Sequence, residues 1–144
     1  MKKLIYIIIL FYPLALSAIE KTKEEKVAKF IIQNIQKDYV TCYSFYKVGS
    51  EIFKITKKNK EMIKSLEKSA DITLKFNYDL GEVLNLKPNY MAQTTKAEVE
   101  KFTKIAQNDF QSLAKKYGLM CKKLVENQKQ RIDYWEEKGN KKIK

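Results

Sequence analysis

The chain has 144 residues and a formal charge of +12, from 29 basic and 17 acidic side chains with no histidine. Without histidine there can be no Ser-His-Asp or Cys-His nucleophile system, no histidine-ligated haem and none of the usual catalytic zinc sites. All but one of the basic residues are lysine, so the arginine fork that reads phosphate and guanine edges is nearly missing, and nucleic acid is not an expected partner.

The chain opens with Met-Lys-Lys and then the apolar run "LIYIIILFYPLAL", with small residues at Ala15, Ser17 and Ala18. A positive start, an apolar stretch of about a dozen residues and small residues behind it are the pattern of a secretory signal. The run is shorter than the ~20 residues that span a bilayer, and Pro13 interrupts it. Residues 1–18 are therefore read as a signal peptide, with retention as a membrane anchor as the alternative. Export to the periplasm or the outside follows. Loss of Lys2 and Lys3 lowers the charge to about +10, still a balance that suits an anionic envelope component or a membrane surface.

Residues 19–138 are expected to form one helical domain. Few breakers, with four glycines and two prolines in all, and the absence of sustained period-two alternation argue for an all-α fold, a three- to four-helix antiparallel bundle. The first helix, 22–48, carries Val27, Phe30, Ile31, Ile35, Tyr39, Cys42, Phe45 and Tyr46 at steps of three and four. Gly49-Ser50 is one possible end, and "TKKNKE" at 56–61 is the other. The second helix covers 61–86, and Pro88 marks a connection. Thr95 and Glu98 have capping-box spacing ahead of a third helix. That helix runs through Val99, Phe102, Ala106, Phe110, Leu113, Tyr117, Cys121 and Leu124, with Gly118 as a kink or the start of a last helix. Residues 139–144 read as a basic disordered tail.

No chemistry-bearing motif emerges. There is no P-loop, no G-x-G-x-x-G, no EF-hand loop and no C-x-x-C-H or E-x-x-H pair. Glu51, Asp71, Asp79 and Asp109 are the acids with the best chance of burial, yet no spacing singles out a catalytic pair. No cofactor, no metal and no enzymatic activity are expected. What remains is the capacity to bind. In "RIDYW", Arg131 and Trp135 lie four apart and can stack, with Tyr134 between them. Tyr43 faces away from the stripe of Tyr39 and Tyr46. These four residues are the candidate partner-binding set, weighed against simple packing of the last helix onto the core.

In an oxidising compartment two cysteines predict one disulfide, Cys42–Cys121. Helix register then constrains the turns. With reversals near Lys58 and Met91, Cys121 falls level with Ile55, ~20 Å from Cys42 at ~1.5 Å per residue. A turn at Gly49 would bring the cysteines level, so the first helix is expected to end or bend there. The function expected is that of a non-catalytic exported adaptor or accessory protein of the envelope. The alternative is a structural or membrane-surface protein resting its lysine-rich faces on anionic lipid or polymer.

Overall fold

The computed structural model describes residues 22–57 and 59–143; the signal-peptide reading of 1–18 lies outside them. The described residues are all-α: α1 (Lys23–Ile55), α2 (Lys60–Val83), α3 (Pro88–Glu126) and α4 (Gln128–Lys142). They form a helical bundle joined by one disulfide.

Each start has a local cause. Thr22 and Glu25 form a capping box at α1, the hydroxyl and carboxylate each accepting from the other residue's amide. The Asn59 side chain accepts from the Glu61 amide at the head of α2. Pro88 occupies the first turn of α3, where its missing amide hydrogen costs nothing. Thr95, expected as a cap, is therefore well inside α3 and buried. The left-handed residues Lys57 and Asn85 follow the ends of α1 and α2, which fits a helix that must stop abruptly.

The expected break at Gly49 does not occur: α1 is helical from Lys23 to Ile55. Gly49 serves close packing instead, since a Cβ there would sit 3.3 Å from Phe110 Cζ. The cysteines nevertheless meet, with Sγ–Sγ 2.07 Å and Cα–Cα 5.2 Å. A third reversal reconciles the two facts. Asp109 has φ −156° and ψ 87° inside α3, and there the chain turns back along α1. An unbroken helix would hold Phe102 and Tyr117 ~22 Å apart, yet their rings lie 4.9 Å apart. The Asp109 carboxylate accepts from the Ser112 amide and so caps the second half, 110–126. Before the bend, Thr95 sits at the level of Gln36, linked to it through Asn77. After it, Phe110 lies by Phe45 and Phe53, Cys121 by Cys42, and Arg131 by Asp38. Gly118, expected as a kink or as the start of a last helix, is helical, and the smaller break falls at Asn127.

Helix α1 is the central pillar. Between Ile35 and Ser50 it is buried on nearly every side, whereas α2 buries only the line Ala70, Thr73, Asn77 and Gly81. The core joins Tyr39, Cys42, Phe45 and Tyr46 of α1 to Phe102, Leu113, Cys121 and Leu124 of α3. Helix α4 carries on through Gly139 to Lys142, into the stretch read as a disordered tail. Gly139 holds it down, packed so closely on Val27 and Phe30 that a Cβ would approach them to 3.2 and 3.1 Å.

Candidate binding groove and the Asp38 cluster

Two stripes of side chains at helical spacing face each other across the surface. Lys29, Gln33, Lys37 and Thr41 follow one another along α1 at steps of four; Tyr90, Thr94 and Glu98 do the same on α3. Between them lies a groove of about 700 Å³, closed at one end by Leu84 and Leu86 and floored by Gln36 and Val40. The floor is rigid for a stated reason. Gln36 Nε2 donates to Asn77 Oδ1 at 2.7 Å, and Asn77 Nδ2 donates to Thr95 Oγ1 at 3.1 Å. Asn77 is fully buried, so this amide chain pins α1, α2 and α3 at one level.

The groove offers two lysine ammonium groups, an amide, hydroxyls and aliphatic patches. Its carboxylate, Glu98, is held by Lys101 at 3.0 Å. Such a lining offers hydrogen bonds and positive charge to a ligand. Among the described residues no group of three or more Cys, Asp or Glu is placed to hold a metal ion, and no helix is long and apolar enough to cross a membrane.

The partner-binding candidates fall elsewhere. Arg131 grips Asp38 with two arms, Nε to Oδ2 at 2.6 Å and Nη2 to Oδ1 at 3.0 Å, and Trp135 Nε1 donates to the same Oδ2 at 2.6 Å. The guanidinium also stacks over the rings of Tyr134 and Trp135, 4.4 and 4.9 Å from their centroids. Nε and Nη2 of Arg131 and the indole N–H of Trp135 are thus engaged within the chain, while Tyr134 stays exposed. Tyr43 is half-buried against the core and shares no ring contact or hydrogen bond with that trio among the described residues. Beside the cluster, burial pushes the Tyr39 phenol up to about 12; the Asp38 charge adds to this and a hydrogen bond with Gln128 opposes it. Burial likewise raises Tyr46 to about 12, with Glu126 adding and Ser69 opposing.

Asp38 is the residue the sequence reading missed. Of the four acids it named, Asp71, Asp79 and Asp109 are exposed and Glu51 is half-buried, whereas Asp38 is 8% exposed. A usable signal existed: a single arginine in a lysine-rich chain points to a position that needs the bidentate fork, hence to a carboxylate facing it. Compared with models of protein families, with curated proteins and with solved structures, the chain matches none.

Proposed function

We propose that the protein acts by binding, as an exported, non-catalytic accessory of the cell envelope, and that the groove between α1 and α3 receives its partner. The observation that carries this reading is the groove itself, about 700 Å³ and lined by two facing stripes over an amide-pinned floor. A preformed, rigid concavity lowers the ordering cost of association. The Cys42–Cys121 bond supports an oxidising compartment. Lys29 and Lys37 favour a partner segment that carries negative charge.

A photo-cross-linking residue placed at Thr94, and for comparison at Lys68 on exposed α2, tests this in the producing cell. The expected result is a discrete adduct from position 94 alone that persists at high ionic strength and disappears in Lys29→Glu/Lys37→Glu. Adducts that are equal at both positions, or absent at position 94, would overturn the reading.

A further inference from the structure

Several lysines in this chain pair with acids one helical turn away, as in Lys47–Glu51, Lys75–Asp79, Lys101–Glu98 and Lys129–Asp133. The second half of α3 breaks that pattern. Residues 110–125 contain no acid, and among the described residues the ion pair recorded for their four lysines is Lys122–Glu126, long at 4.0 Å. Lys115, Lys116, Lys122 and Lys123 fall four and three residues before and three and four after Leu119, so all five share one face. Leu119 is 66% exposed at its centre. Cys121, two residues on, points the opposite way and is bonded to Cys42 in the core. The disulfide therefore fixes this face outward.

We infer that this face docks the protein on an anionic lipid bilayer, with Leu119 entering the headgroup region and the four ammonium groups meeting lipid phosphates. A peptide partner is held in a concavity, whereas an apolar residue raised on a convex helix face and ringed by lysines matches a soft, planar, negatively charged surface. The lysine stems can lie along the acyl boundary while their heads stay at the phosphates. This surface is separate from the groove, and either proposal can fail alone.

The test is co-sedimentation of the protein, in the form the cell produces, with vesicles of phosphatidylglycerol and phosphatidylcholine against phosphatidylcholine alone. Binding is expected only to the anionic vesicles and should weaken steeply with salt. Replacing Lys115, Lys116, Lys122 and Lys123 by Gln should lower the partition coefficient about six-hundredfold, on roughly fivefold per lysine. Leu119→Gln should lower it about tenfold. The charge-matched control changes Lys75, Lys96, Lys129 and Lys141 to Gln and should bind like the parent. The inference is overturned if no anionic vesicle is bound, or if the control variant falls as far as the patch variant. It is equally overturned if Leu119→Gln has no effect while soluble polyglutamate competes fully, which would identify an acidic polymer as the ligand.

Discussion

Asp38 shows how one carboxylate can seat a whole helix. It takes two hydrogen bonds from Arg131 and one from Trp135, and those partners lie 93 and 97 positions away in the chain. Its side chain is 11% exposed and that of Arg131 is 23% exposed, so the pair is poorly screened by water and loss of either member leaves the other without compensation. Asp38→Asn keeps the shape but removes the charge, and should destabilise the fold by about 2–3 kcal/mol, below the ~3–5 typical of a fully buried pair. Arg131→Lys should cost somewhat less, because a point charge cannot fill both oxygens or lie flat on Tyr134 and Trp135. Urea denaturation followed by circular dichroism checks both, with exposed Asp71→Asn as a reference expected within about 0.5 kcal/mol of the parent.

The helices themselves were legible wherever apolar residues recur at three and four, which is why the first and third stripes map onto α1 and α3. The bends were not. Asp109 is a single extended residue in a polar triplet, and the stripe continues undisturbed from Ala106 through Phe110 to Leu113, because both halves of α3 pack on the same pillar. Nothing in the periodicity registers a reversal when the face stays the same. Glycines misled in the other direction. Gly49 and Gly118 resemble breakers, yet each sits inside a helix; only at Gly49 does the neighbouring chain come within 3.4 Å of a Cβ. On the deep face of α2, Ala70 and Thr73 follow the expected stripe, whereas Asn77 is a polar residue buried where an apolar pattern gives no signal. At Gly118 a Cβ would make an ordinary 3.7 Å contact with Phe45, so Gly118→Ala should stabilise by about 0.5–1 kcal/mol through helix propensity. Gly81→Ala should instead destabilise by about 1–2 kcal/mol, because its Cβ would fall 1.9 Å from the sulfur of buried Met91. Equilibrium urea curves on the two variants separate these opposite signs.

At the scale of the molecule, the disulfide links parts that chain order keeps far apart. It joins the middle of α1 to the second half of α3 across 79 residues, enclosing α2, both connections and the Asp109 bend in one loop. The contacts that α1 makes beyond it, from Asp38–Arg131 to Phe30–Trp135, continue along the same pair of chain segments. Reduction frees the unfolded chain to separate those segments, at a loss of about 4.5 kcal/mol in the chain-entropy model. That is close to the entire net stability of many small domains. The paired variant Cys42→Ala/Cys121→Ala should therefore lose about 3–5 kcal/mol, with part of the loss from a cavity in the core. The folded remainder should stay helical, since the Asp38 cluster and the amide chain through Asn77 still tie α1 to its neighbours. Thermal melts of the parent with and without reductant, set beside the paired variant, decide the matter. Reductant should lower the parent's midpoint towards the variant's and leave the variant unmoved; a parent indifferent to reductant would show that packing alone holds α3 to α1.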